Sequence, residues 1–116
     1  MKKRTKTRKF NRKADPRKAF MKSLSRALVL HEKIETTDAR AKELSSFIEK
    51  KITIAKKGDL SAIRRLRTIF SLEVTNKLIK EIAPLYKDRE GGYTRIIKLG
   101  QRKSDGASMS IIEFIK

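Results

Sequence analysis

The most constraining feature of this sequence is a long cationic segment at its N-terminus. Residues 1–26 hold 12 Lys or Arg side chains and a single acidic one. Residues 2–13 read KKRTKTRKFNRK, in which Phe10 is the one sizeable apolar side chain. Such a segment buries too little apolar surface to compensate for the conformational entropy lost on ordering. We therefore predict a basic arm over residues 1–14, disordered when free, followed by a single α/β body over residues 15–116.

The composition of the whole chain narrows the class of protein. The 116 residues match one average domain, and 31 Lys+Arg against 13 Asp+Glu give a formal net charge of +18. Positive charges in this excess repel one another within the chain, and this indicates a polyanionic partner. The absence of cysteine excludes a disulfide framework, a cysteine-type zinc site and a thiol nucleophile. The sequence has neither a signal-peptide pattern nor an uncharged apolar run of about 18 residues, so we expect a soluble, untargeted cytoplasmic protein.

Two helices separated by a short strand are predicted after the arm. Asp15 and Pro16 are typical of a helix start, and the first helix is expected over about residues 16–30. Residues 33–37 favour a strand, and Thr37 is suited to cap a second helix that ends before Gly58. Apolar residues at helical spacing define the expected core faces: Phe20, Leu24, Ala27 and Leu28 in the first helix, and Ala41, Leu44, Ile48, Ile52 and Ala55 in the second.

The rest of the chain predicts two shorter helices and a hairpin. Asp59 is suited to cap a third helix, with Leu60, Ile63, Leu66 and Phe70 on its buried side. Ser71 can start a fourth, whose expected core residues are Leu78, Ile79 and Ile82 and whose last turn Pro84 weakens. Two β-rich runs, residues 93–99 and 109–115, flank a Ser-Asp-Gly turn signal. The predicted fold is α+β: four helices packed with a small mixed or antiparallel sheet, plus a basic N-terminal extension.

Candidate catalytic groups are few in this sequence. His31 is the one histidine, and near a helix end it is more typical of packing or of dipole complementation. Two acidic pairs, Glu32 with Glu35 and Asp88 with Glu90, lie among basic side chains that offer ordinary ion-pair partners. The Gly91-Gly92 pair lacks the flanking pattern of a phosphate-binding loop and favours unusual backbone angles instead. We therefore predict no enzyme activity, catalytic residue, metal, cofactor or small-molecule substrate.

Three kinds of polyanionic partner come into question: a membrane surface, DNA and folded RNA. A membrane-binding helix needs bulky apolar residues exposed opposite its lysines, whereas here those residues are predicted to form the core. A sequence-reading DNA protein needs a recognition helix, and the third and fourth helices fit a helix-turn-helix only loosely. Folded RNA fits best, because the arm can extend on the order of 40 Å between crowded phosphates. A non-specific nucleoid-type DNA-binding protein is the alternative.

Two segments resemble a known family. His31-Glu32-Lys33-Ile34-Glu35-Thr36-Thr37 with the following Ala39–Leu44, and Arg89-Glu90-Gly91-Gly92-Tyr93-Thr94-Arg95-Ile96-Ile97-Lys98, strongly resemble the bacterial large-subunit ribosomal protein of the "L seventeen" family. Weaker agreement extends in register over essentially the whole chain. The sequence departs from the usual family pattern at Lys3, Pro16, Ser45 and the loop 102–106.

The resemblance implies a component of the large ribosomal subunit. It implies a protein bound to large-subunit rRNA, near the peptide exit tunnel, with other large-subunit ribosomal proteins as neighbours. It also implies an α/β body with an N-terminal extension, in agreement with what the residues indicate by themselves.

The predicted RNA-binding residues follow the basic side chains of the arm and body. Most should contact phosphates, so that they position the protein while the shape of the folded RNA provides specificity. Phe10 and Tyr93 are suited both to stacking on an unpaired base and to packing, and the sequence leaves this open. His31, Thr36 and Thr37 are expected to be structural. The predicted set is Lys2, Lys3, Arg4, Lys6, Arg8, Lys9, Asn11, Arg12, Lys13, Arg17, Lys18, Lys22, Arg26, Arg64, Arg65, Tyr93, Thr94, Arg95, Lys98 and Arg102.

Overall fold

The computed structural model describes residues 14–116, with side chains described from Lys18 onward. Residues 1–13 of the predicted arm, Phe10 among them, lie outside the described residues, and Ala14 is the first residue of α1. The helices and strands are α1 Ala14–His31, β1 Lys33–Thr37, α2 Asp38–Lys57, α3 Leu60–Arg67, α4 Leu72–Lys77, a π-helical turn Leu78–Ile82, a 3-10 turn Ala83–Tyr86, β2 Thr94–Gln101 and β3 Ser108–Phe114. This order confirms the predicted α+β class.

Helix α1 packs mainly through its C-terminal half. It begins at Ala14, two residues before the predicted start, so Pro16 falls in the first turn, where its missing N–H is not needed. Leu28 and Val29 are fully buried. The predicted core face is only partly right, because Phe20, Leu24 and Ala27 are half-buried.

Helix α2 is the central element of the fold. It packs against α1, α3, all three strands and the turns that follow α4. The Thr37 hydroxyl accepts a hydrogen bond from the Arg40 N–H, and Gly58 ends the helix at φ 65°, a conformation that favours glycine. The predicted bounds and core face are both confirmed, since these α2 residues are buried: Ala41, Leu44, Ile48, Ile52 and Ala55.

Helix α3 corrects one sequence prediction. Asp59 caps it as expected, its carboxylate accepting the Ala62 N–H at 2.8 Å. Leu60, however, is 61% exposed, and Ala62 is buried in its place. The inward-facing positions are Ala62, Leu66 and Phe70, which recur at four-residue steps. Leu60 lies two residues before Ala62 and therefore points to the opposite side of the helix.

The fourth helix changes its hydrogen-bonding pattern twice. Ser71 caps it as predicted, and the α-helical turns give way to a π-helical turn at Leu78 and a 3-10 turn at Ala83. Pro84 has no N–H to donate, in agreement with the predicted weakening of the last turn. Leu78 and Ile82 are buried as expected, and Ile79 is half-buried against the core.

The sheet is antiparallel throughout, in the order β1-β3-β2. This settles the choice between a mixed and an antiparallel sheet. Ile112 on the central strand is opposite Ile34 on one side and Ile96 on the other, and these three form the row that faces the helices. A bulge between Lys98 and Gly100 shifts the β2–β3 register, and Gly100 adopts φ 99° there.

We expect Ile48→Ala to lower the free energy of unfolding by about 2–5 kcal/mol, because Ile48 is fully buried at the centre of α2. Urea denaturation measures this loss. Leu60→Ala is the matched control and should change stability by less than about 0.5 kcal/mol, since Leu60 is an exposed aliphatic side chain. Equal losses in the two variants would contradict the assignment of the core.

Candidate nucleic-acid interface

The described cations of α1 form a single row. Lys18, Lys22 and Arg26 recur at four-residue steps and are all exposed. No ion pair joins them to a carboxylate within the part of the chain that the structure describes. This set is called the α1 row below. The side chain of Arg17 and the predicted contacts at positions 2–13 lie outside the described residues.

A second group of cations lies on α3. Arg64, Arg65 and Arg67 are exposed, as predicted, while their neighbour Leu66 is buried. Like the α1 row, these three, called the α3 group below, form no ion pair with any carboxylate of residues 18–116. Lys98 on β2 is also exposed. An array of exposed cations without internal counter-charges is suited to a ligand that carries many negative charges.

Two of the predicted RNA-binding arginines already have carboxylate partners. Arg95 pairs with Glu113 on the neighbouring strand at 2.7 Å. Arg102 donates two hydrogen bonds to Asp105, at 3.0 and 2.9 Å, across the β2–β3 turn. The hydrogen bond from Arg102, with a further one from the Ala107 N–H, lowers the pKa of Asp105 to about 2. Both arginines are therefore poorer candidates for phosphate binding than the unpaired cations of the helices.

Tyr93 and Thr94 are buried, with exposed fractions of 2% and 8%. The Tyr93 ring packs on Tyr86, with the two ring centres 4.9 Å apart. The open choice for Tyr93 is thus decided in favour of packing. An RNA contact through the side chains of Tyr93 and Thr94 does not fit their burial, because the hairpin places both against α2.

These two residues are instead held by polar side chains of α2. One carboxylate oxygen of Glu49 accepts hydrogen bonds from the Tyr93 N–H at 3.1 Å, the Thr94 N–H at 3.3 Å and the Thr94 hydroxyl at 3.1 Å. Ser45 shares a hydrogen bond of 2.9 Å with the Thr94 hydroxyl. The Lys56 ammonium group donates to the Tyr93 hydroxyl at 3.0 Å. We call this arrangement the Glu49 anchor.

The Gly91-Gly92 pair lies in the loop that leads into the Glu49 anchor. Gly91 has φ 147° and Gly92 has φ 63°, so the expectation of unusual backbone angles is confirmed. Lys56 also donates to the Arg89 carbonyl at the start of the loop.

The roles of Glu49 and Lys56 were not predicted from the sequence. The available signal was the spacing of Ser45, Glu49 and Lys56, which places them on one side of a lysine-rich helix beside its core face. The spacing does not indicate which groups these side chains bind, because those groups lie far along the chain.

The structure gives structural roles to two of the three residues for which such roles were expected. His31 is exposed at the end of α1, Thr36 is buried in β1 and Thr37 caps α2. Within residues 18–116, no group of three or more histidine or acidic side chains is placed to hold a metal ion.

Glu32 joins three parts of the chain at the end of α1. It has φ 68° and pairs with Lys77, at 3.3 Å, and with Lys116. These contacts, led by the hydrogen bond to Lys116, lower the pKa of Glu32. The carboxylate is therefore an ion-pair partner, in agreement with its expected role.

We expect Glu49→Ala to lower the free energy of unfolding by about 1.5–3 kcal/mol, because it removes a charged acceptor from three donors at once. Thermal or urea denaturation measures the change. Glu81→Ala, at an exposed glutamate on the π-helical turn, is the control and should stay within about 0.5 kcal/mol. A loss at Glu49 no larger than at Glu81 would show that the anchor contributes nothing to stability.

Within the described residues, no helix is long and apolar enough to cross a membrane.

The family model and the similar known proteins all point to the same family. A model of the family described as Ribosomal protein L17 matches residues 20–115. The chain is 50% identical over 109 residues to the large ribosomal subunit protein bL17 of Thermoanaerobacter sp. (strain X514), with 93% of this chain and 97% of the relative covered. The proteins of the same name from Halalkalibacterium halodurans and Staphylococcus carnosus are 46% and 44% identical, with 92% and 93% of this chain and 97% and 98% of those relatives covered. The chain belongs to the Ribosomal protein L17 family.

Proposed function

We propose that this chain is a structural constituent of the large ribosomal subunit and binds large-subunit rRNA through its basic N-terminal arm and its body surface. Its place is near the peptide exit tunnel, in cytoplasmic ribosomes, with other large-subunit ribosomal proteins as neighbours. Membership of a ribosomal-protein family supports the prediction that the chain is not an enzyme. The position near the tunnel follows from the family resemblance and not from a feature of the body.

The observation that carries the RNA-binding proposal is the set of exposed cations without carboxylate partners on α1 and α3. Ordinary surface cations are often balanced by nearby acids, but the α1 row and the α3 group are not balanced within residues 18–116. Phosphates supply the missing counter-charges, and each bound phosphate releases condensed counterions from the RNA. These interactions position the protein without reading bases, so the fold of the RNA decides where it binds.

Sedimentation of a cell extract through a sucrose gradient tests the proposed place in the ribosome. We expect the protein in stoichiometric amounts in the large-subunit and whole-ribosome peaks. We expect it to stay there at raised salt because contacts that fit the shape of the folded RNA, unlike phosphate contacts, do not weaken steeply with salt. A salt-labile spread over the gradient, or a peak together with chromosomal DNA, would favour the nucleoid-type alternative instead.

The salt dependence of rRNA affinity tests which surfaces bind. Deleting residues 2–13, or substituting Lys18→Gln, Lys22→Gln and Arg26→Gln together, should flatten the plot of log affinity against log salt. The slope should fall by roughly 0.7–0.9 for each phosphate that the variant no longer neutralises. Filter binding to transcribed large-subunit rRNA measures the slope.

The control for the α1 variant removes the same number of charges elsewhere. Lys33, Lys80 and Lys87 are exposed and lie outside the predicted RNA-binding set. Their combined substitution by glutamine should leave the slope nearly unchanged. If this control flattened the slope as much as the α1 variant, net charge alone would govern binding, and the proposed interface on α1 would be wrong.

A further inference from the structure

A further set of cations, which shares Arg65 with the α3 group, lies where α2 and α3 pack together. Lys50 and Lys51 lie on α2, and Arg65 lies on α3 next to the buried Leu66. Lys50 and Lys51 were not among the residues predicted to bind RNA. We call Lys50, Lys51 and Arg65 the junction cluster.

Lys51 is held in place by the surface beneath it. Its ammonium group lies 4.7 Å from the centre of the Phe47 ring, and Phe47 in turn packs against the core. Lys51 is half-buried, whereas Lys50 and Arg65 are exposed. A cation over an aromatic ring is positioned with less freedom than one on an open helix surface. The cluster therefore presents at least one charge in a fixed place.

Lys51 is repelled by the other two charges of the cluster. Partial burial lowers the pKa of Lys51, and the positive charges of Arg65 and Lys50 lower it further. No carboxylate forms an ion pair with any of the three within residues 18–116. Like charges gathered at a helix junction without a counter-ion destabilise the free protein, and a bound anion relieves this repulsion.

We propose that the junction cluster is a phosphate-binding site that takes the sugar–phosphate backbone of an RNA strand across the packed surface of α2 and α3. This inference rests on the proposed function and extends it to a surface separate from the arm and from the α1 row.

The chemistry of the cluster favours a phosphodiester over other anions. The Arg65 guanidinium group is a planar fork of donors that matches phosphate oxygens, while Lys51 provides a compact charge beside it. The Lys51 charge lies over the Phe47 ring, which packs against the core. An isolated small anion would meet only part of this array, whereas an RNA backbone brings a phosphate to each cation in succession.

Two measurements on the full chain test the proposal. The first is the salt slope of affinity for transcribed large-subunit rRNA, compared between a Lys51→Gln, Arg65→Gln variant and a Lys80→Gln, Lys87→Gln control with the same charge. We expect the junction variant to lower the slope by roughly 0.7–0.9 for each phosphate that it no longer neutralises, and the control to leave it unchanged. Circular dichroism verifies that both variants fold.

The second measurement uses the unaltered chain. An amine-acylating reagent is applied to the free protein and to its rRNA complex, and the modified lysines are identified by mass spectrometry. We expect Lys51 to be protected in the complex by at least several-fold, while Lys80 keeps its reactivity. Equal modification of Lys51 in both samples would overturn the proposal, and so would protection of Lys80 to the same degree.

The outcomes separate this inference from the proposed function. If the α1 variant flattens the slope but the junction variant does not, RNA binding stands and the junction site is wrong. If neither variant changes the slope, the proposed RNA interface on the body fails and the junction site fails with it.

Discussion

Burial of one apolar face of α2 is the interaction on which the rest of the structure depends. This helix packs against α1, α3, the sheet and the turns after α4, so each of these elements is positioned by reference to it. Its two ends are defined by local chemistry, with Thr37 as the cap and Gly58 as the left-handed stop. Displacing α2 would therefore move the sheet and the cationic helices together.

Several acidic side chains of the described residues join one element of the fold to another. Glu49 holds the start of β2, Asp38 accepts a hydrogen bond from Ser110 on β3, and Glu113 joins the strands through Arg95. Because acids are few and several of them serve these joints, the cations of α1 and α3 have no ion-pair partner within the described part of the chain. The few acids thus stabilise the body while its outer surface stays positive.

The sequence predicted the elements whose signals are local. Helix α2 was predicted with its bounds, cap and core face, because all three depend on residues within one helix. The exposed Leu60 was misassigned, since in a helix of only eight residues more than one set of positions at three- and four-residue steps can be chosen as the buried face. The role of Glu49 was missed because the N–H groups that it binds lie 44 and 45 residues away. The role of Tyr93 could not be decided from the sequence because a tyrosine side chain suits both packing and base stacking. It is buried only because the hairpin packs back onto α2.

The rigidity of the body bears on how the proposed RNA binding can be specific without reading bases. The α1 row and the α3 group are carried by helices that both pack against α2, so the core determines the spacing between the two sets of charges. An RNA that binds both sets must present phosphates at a matching spacing, which depends on how the RNA is folded. Charge supplies the attraction, and the packing of α1 and α3 on α2 supplies the selection. If the proposed function is right, a substitution in the α2 core can weaken RNA recognition while every cation is retained, because it changes the distance between the two sets of cations.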